Sequence, residues 1–258
     1  MAVFQAGDGV EISFDGMGDG PPVVMVHGFA ANRHQAWKAN DWYENLIDAG
    51  RESLALDLRG HGLSAKPRDP AFYGLEAMAD DIIGLLDRCD LDKADIVAHS
   101  LGARLLLDLL VRRPDRLRSA TLIGVGETLL QPPRDPATMI AAFEAADPMT
   151  VADETARSFR AFADSTGGDL GALAACLRAP RRSLDPAALA DIRVPVLVVG
   201  AGTDPFAGSP DPLAAAIPGA KSVLIRGTSH HSVLADPRTK VAVFEAIGIE
   251  ASAGGSRW

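Results

Sequence analysis

The sequence predicts an α/β fold: a mostly parallel central sheet flanked by helices, with a helical insertion late in the chain. Six short, nearly continuous apolar runs recur, at residues 23–26, 53–56, 95–98, 120–125, 194–199 and 222–225. A run without polar interruption is what a strand buried on both faces requires. Between most of them lie longer stretches with apolar residues at helical spacing, and strand alternating with helix implies parallel strands joined by crossovers. The alternation fails between about residues 126 and 191, where Pro132, Pro133, Pro136, Pro148, Pro180 and Pro186 punctuate helical stretches and no strand-like run occurs.

In chain order, Val3 and Phe4 followed by residues 10–14 read as an antiparallel hairpin turned at Asp8-Gly9. The runs at 23–26 and 53–56 each end in a glycine-containing loop. Residues 73–89 carry Leu75, Met78, Ile82, Leu85 and Leu86 at helical spacing, and a second helix is expected over 101–113, stopped by Pro114. The division expected is a core of residues 1–126 and 191–250 with a helical cap at 127–190. The apolar residues of the cap, among them Met139, Ile140, Phe143, Met149, Phe159, Phe162, Leu173 and Leu177, are read mainly as the grip of the insertion on the core. Residues 251–258, small and glycine-rich, are expected to fray.

Composition bounds the function. The 258 residues are 47% hydrophobic and 23% charged, an ordinary globular balance with a sizeable aliphatic core. With 25 Lys and Arg against 34 Asp and Glu the net charge is -9. No basic block offsets it, so neither nucleic acid nor an anionic membrane surface is an expected partner. Cys89 and Cys176 stand far apart in sequence with no metal-ligand spacing and no disulfide-rich pattern. A reducing cytoplasm is therefore the expected compartment. The first ten residues lack the basic start and apolar run of a signal peptide, and no segment reaches the roughly 20 apolar residues of a membrane span.

The chemistry concentrates at loops that follow the apolar runs. Asp95-Ile96-Val97-Ala98-His99-Ser100-Leu101-Gly102 passes from a buried strand through a serine into a helix. A serine on so tight a turn needs small neighbours two residues away on each side, and here these are Ala98 and Gly102. Alanine stands where glycine is usual, the least costly replacement. Such a turn lifts the hydroxyl to a helix amino terminus, where the Leu101 N–H is free to stabilise an oxyanion. The plainer reading of Ser100 is a helix cap. His99 is read as a packing residue. His27-Gly28-Phe29-Ala30 follows the first run, and its expected task is to aim the Phe29 N–H at the same oxyanion, with His27 shaping the loop. Further on come Leu56-Asp57-Leu58-Arg59-Gly60-His61-Gly62-Leu63-Ser64, then Gly200-Ala201-Gly202-Thr203-Asp204-Pro205, then Thr228-Ser229-His230-His231 ahead of Asp236-Pro237.

Together these segments resemble the α/β-hydrolase fold superfamily, in an order that spans nearly the whole chain apart from the insertion. The resemblance implies that Ser100 is the nucleophile and that acid and base follow it in that order. It places the acid at Asp204, just past a strand, with Glu127 as rival because some relatives carry their acid there. It places the base at His230, seven residues before Pro237, with His231 one residue off and read as a pocket residue. Asp57, Arg59 and His61 are implied to shape their loop.

The expected activity is hydrolysis of a small or medium carboxylic ester through an acyl-enzyme on Ser100. The same triad would serve a lactonase, a carbon-carbon bond hydrolase, a cofactor-free perhydrolase or an acyl transferase. Serine at position 100 argues against epoxide hydrolases and haloalkane dehalogenases, which the resemblance associates with aspartate there. A ligand-binding member without turnover is the reading from a different class. No cofactor is expected, and no metal, since the six histidines do not recur at ligand spacing. The expected partner is a small ester-like molecule.

Overall fold

The structure, a computed structural model, describes residues 2–181 and 184–249, so the frayed tail expected at 251–258 lies outside the described residues. Eight strands form one sheet: β1 (Ala2–Gln5), β2 (Glu11–Met17), β3 (Pro22–Val26), β4 (Glu52–Leu56), β5 (Ala94–His99), β6 (Leu117–Ile123), β7 (Val196–Ala201) and β8 (Lys221–Ile225). Their order across the sheet is β1-β2-β4-β3-β5-β6-β7-β8. β2 runs antiparallel to both its neighbours, and every pairing from β4 to β8 is parallel. The hairpin closes with Ala6 N–H donating to Val10 O at 2.8 Å, and Gly9 supplies the positive φ of 82° that the turn needs.

The helices are α1 (Arg33–Ala36), α2 (Trp42–Asp48), α3 (Leu75–Arg88), α4 (Leu101–Arg112), α5 (Ala137–Glu144), α6 (Glu154–Ser165), α7 (Leu170–Arg178), α8 (Pro186–Leu189), α9 (Pro210–Ala215) and α10 (Pro237–Ala246). Side chains alternate across the sheet. Val24, Val26, Ile96, Ala98 and Val198 therefore pack into the layer formed with α3 and α4, together with Ile82, Leu85, Leu106 and Leu109. Val23, Met25, Val97 and Val199 pack on the opposite face against Trp37, Trp42, Leu46, Val243 and Phe244. Each such aliphatic side chain contributes about 1.5–3 kcal/mol of gross burial. The sum fixes the register of the parallel strands, because a one-residue slip would exchange the two layers.

One expectation fails at the sheet edge. The run at 222–225 reads as a strand buried on both faces, but β8 is an edge strand paired with β7 alone, and Leu224 is 46% exposed. Between β6 and β7 the described residues form α5 to α8 and no strand. Asp153, Asp169 and Asp185 start three of these helices by accepting from the amides of Ala156, Ala172 and Ala187 at 2.7, 2.9 and 2.9 Å.

Buried ion pairs tie the loop after β4 to its surroundings. Arg59 meets both oxygens of Asp81 on α3 at 2.7 Å and Asp8 of the hairpin at 2.6 Å. Asp57 accepts from the backbone N–H of Arg33 and from that of Leu63, each at 2.8 Å, and pairs with the Arg33 guanidinium. Removing one partner would strand a buried charge at a cost of about 3–5 kcal/mol.

Candidate active site

β3, β5, β6, β7 and β8 run parallel, so their carboxyl ends share one edge of the sheet. The loops that follow them hold the candidate residues. Ser100, directly after β5, has φ 51° and ψ -111°, a conformation that L residues seldom adopt. Its N–H donates to Ile123 O at 2.8 Å, which pins the turn to β6. The turn is possible because its neighbours are small. A Cβ on Gly102 would lie 2.5 Å from Val26 O and 2.7 Å from His27 O, and one on Gly28 would lie 3.1 Å from Ser100 Cβ. Backbone thus meets backbone between the start of α4 and the loop after β3. Ala98, the departure from glycine, is fully buried in the layer beneath and accommodated there.

The Ser100 hydroxyl does not cap α4. It faces the imidazole of His230, Oγ to Nε2 at 2.9 Å. The other ring nitrogen, Nδ1, donates to Asp204 Oδ2 at 2.6 Å. Asp204 Oδ1 accepts from the amides of Phe206 at 2.8 Å and Ala207 at 3.2 Å, so both carboxylate oxygens are engaged. Burial pushes the Asp204 pKa up, but the hydrogen bond and charge interaction with His230 and the two amides outweigh it, leaving the carboxyl below its usual range. An ionised acid, an imidazole with its proton on Nδ1 and a hydroxyl on Nε2 stand in line.

Three other histidines frame this line. His99 is buried, and its Nε2–H donates to the backbone carbonyl of His230 at 2.8 Å. Burial, then the neighbouring His230, hold the His99 pKa well below 6.5, so it is a neutral strut. Gly124, at the end of β6, makes room for the pair: a Cβ there would lie 2.9 Å from His99 Nε2 and 3.3 Å from His230 Cε1. His27 is fully buried, donates from Nδ1 to Gly28 O at 2.8 Å and accepts from Leu58 N–H at 3.0 Å. Burial pushes its pKa down to about 4. It bridges the loops after β3 and β4. His61 donates to Arg59 O at 2.9 Å and is likewise buried, with its pKa pushed down to about 3.

The Phe29 and Leu101 amides donate to no acceptor among the described residues, and they flank the Ser100 turn, Leu101 as its next residue and Phe29 as the neighbour of Gly28. Glu127 stands apart from the line. Its carboxylate lies against Gly208 and its amide donates to Ser209 O at 2.9 Å, while Asp204 occupies His230 Nδ1. His231 is exposed and stacks on Phe162 of α6, ring centroids 4.3 Å apart and planes at 24°. Desolvation by that stack, then His230, lower its pKa.

Several residues here carry no motif that would reveal them. Phe206 packs edge-on against His230 at 5.3 Å, and Phe159 of α6 packs on Phe206 at 5.0 Å. Phe29 meets Phe143 of α5 at 5.5 Å. Five of the nine phenylalanines, at positions 29, 143, 159, 162 and 206, thus join ring contacts between the loops at this sheet edge and the helices after β6. The one signal was the position of Phe206 two residues past Asp204, where its amide reaches the carboxylate. Beside Ser100 and His230 lies a cavity of about 20 Å³, lined also by Gln35 and Asn40 from the segment around α1.

Residues 21–162 match the model of a protein family described as the alpha/beta hydrolase fold. Among curated proteins, the chain is 39% identical over 125 residues to the non-heme chloroperoxidase CPO-A1 of Kitasatospora aureofaciens, a stretch that is 48% of this chain and 44% of that one. It is 33% identical over 118 residues to a 2-hydroxy-6-oxo-2,4-heptadienoate hydrolase of Pseudomonas putida, 45% of this chain and 41% of that one. These matches span less than half the length of the relatives. Solved structures align over nearly the whole fold. A hydrolase from Pseudomonas aeruginosa superposes with a TM-score of 0.75 at 25% identity, covering 96% of this chain and 98% of that one. An esterase from Exiguobacterium antarcticum superposes with a TM-score of 0.78 at 20% identity, covering 95% and 99%. No helix among the described residues is long and apolar enough to cross a membrane.

Proposed function

The chain belongs to the alpha/beta hydrolase fold family, and from that premise we propose that it is a serine hydrolase cleaving a small or medium carboxylic ester through an acyl-enzyme on Ser100. One observation carries the reading: the unbroken chain of contacts from Ser100 Oγ through His230 to Asp204, at 2.9 and 2.6 Å. His230 Nε2 takes the hydroxyl proton as Oγ attacks the ester carbonyl, and returns it to the departing alcohol. Asp204 keeps the ring in the tautomer that presents a free Nε2 and stabilises the imidazolium that forms. The amides of Phe29 and Leu101 receive the charge on the carbonyl oxygen; one such donor is worth about 3 kcal/mol in the transition state. Residues 127–190 act as a cap whose rings, Phe143, Phe159 and Phe162, wall the approach to Ser100. No metal or organic cofactor takes part, and the protein works in the cytoplasm.

The names of the relatives extend from chloroperoxidase through carbon-carbon hydrolase to epoxide hydrolase. A nucleophilic serine supports acyl chemistry over the last of these. Fluorophosphonate should label the protein at Ser100, and Ser100→Ala should abolish both the label and the hydrolysis of short-chain p-nitrophenyl esters. Undiminished turnover in the alanine variant would overturn the proposal. A panel of ester, lactone and β-diketone substrates on the purified protein then separates the reaction subclasses that share this triad.

A further inference from the structure

We propose that Gln35 and Asn40 hold the water that breaks the acyl-enzyme, so that this pair sets how the intermediate divides between hydrolysis and transfer to another nucleophile. The inference rests on the acyl-enzyme reading above and concerns the second half of the reaction.

The cavity beside the nucleophile is lined by Ser100 and His230 together with Gln35 and Asn40. Its volume of about 20 Å³ is the room one water needs. A water in such a site also needs two to four polar partners. Asn40 Nδ2 donates to Gln35 O at 3.1 Å and to Ala36 O at 2.9 Å, which fixes its amide and leaves Oδ1 as a free acceptor. The Gln35 side-chain amide meets no partner among the described residues, while its backbone N–H is already held by Asn32 Oδ1 at 2.8 Å. The residues that carry this donor, this acceptor and the imidazole therefore line one water-sized space. An acyl tail placed here would leave the Gln35 side-chain amide and Asn40 Oδ1 without hydrogen-bond partners.

From this place the water oxygen attacks the carbonyl carbon of the acyl group on Ser100, and its proton passes to His230 Nε2. The tetrahedral intermediate then collapses. The bond from carbon to Oγ breaks, Oγ takes the proton back from Nε2, and the carboxylic acid leaves. An alcohol entering from the cap side competes for the same carbon without using the amides.

Gln35→Leu keeps the size of the side chain and removes its capacity to hydrogen-bond, and Gln35→Met serves as a second variant should the first fold poorly. With p-nitrophenyl acetate in dilute methanol, the initial burst of p-nitrophenol should keep its wild-type rate while the steady state slows. The ratio of methyl acetate to acetate should rise at least about fivefold, equal to roughly 1 kcal/mol. An unchanged ratio with a folded variant would overturn the assignment of Gln35. Intact-mass measurement after acid quench separates the two readings: an acetyl adduct on wild type upholds the acyl-enzyme whatever the ratio does, and its absence removes the acyl-enzyme and this inference with it.

Discussion

At the carboxyl edge of the sheet a methyl group on Gly102 would lie 2.5 Å from a backbone oxygen, whereas in the helical segment after β6 Met149 is 78% exposed and most contacts are made by flexible side chains. The two regions are held by different forces. The edge is built from hydrogen bonds and close backbone approaches, each with one satisfactory geometry. The helical segment is fastened mainly by apolar area and ring contacts, which tolerate displacement, with a hydrogen bond from Thr166 Oγ1 to Ala30 O at 2.7 Å beside them. Position-dependent chemistry belongs on the first kind of structure and adaptable recognition on the second. Substitutions at the edge should therefore be punished by identity, and those at the apolar contacts of the helical segment by size.

The largest effect that would test this difference is at Asp204. Asp204→Asn retains the shape but favours the wrong imidazole tautomer, and it should lower kcat by about 10⁴-fold, the size of the loss when a serine protease triad is changed the same way. Glu127→Gln, against Gly208, should leave kcat within about threefold of wild type. A collapse of kcat in the Glu127 variant alone, measured on any ester the wild type turns over, would transfer the acid to Glu127.

Next in size is the acid sensitivity of the edge. His27 and His61 are buried neutral, and in the fold they take a proton only near pH 4 and 3, where an unfolded chain does so near 6.5. Between those values the unfolded state binds more protons, so stability is lost as pH falls from 6.5 toward 4. Each ring should contribute about 2 kcal/mol of that loss between pH 7 and pH 5. Urea midpoints measured across this range should fall steadily, and a midpoint that rises on acidification would show that these rings do not govern it.

Gly102→Ala comes third. The added methyl meets the carbonyl oxygens of Val26 and His27, neither of which can rotate away, so the cost should reach the upper end of overpacking, about 3 kcal/mol. Thermal unfolding of the variant should start well below wild type, and any turnover of short esters should drop with it because the Ser100 turn moves. A variant as stable as wild type would mean that the close approach is slack.

The same difference decided what could be read from residues alone. Ala98, Ser100 and Gly102 were legible because a turn of φ 51° admits few side chains nearby, Asp204 because it lies just past an apolar run that is a strand, and His230 only through the resemblance, by its place seven residues before Pro237. The leading hairpin was legible from Asp8-Gly9. The run at 222–225 gave the right element and the wrong surroundings, since an apolar composition does not report whether a further strand lies outside it. Gln35, Asn40 and Gly124 left no mark, and Phe206 only its position two residues past Asp204. Their importance comes from contacts with residues dozens of positions away, such as Gly124 on His99 and His230, and such contacts have no period in sequence. The ring contacts of Phe143, Phe159 and Phe162 could be counted as apolar residues but not assigned to the site for the same reason.

The smallest effect should be at Met149, in the turn ahead of α6. With 78% of its surface already in water, the side chain has little burial to lose, and Met149→Ser should change stability by less than about 0.5 kcal/mol. Nor does it join the ring contacts that run from Phe159 through Phe206 to His230, so kcat/KM for short esters should also stand. Two assays check this, a urea melt and a steady-state rate. A clear loss of kcat/KM with stability intact would show that this turn meets substrate, and the helical segment would then hold identity-dependent positions of the kind expected at the sheet edge.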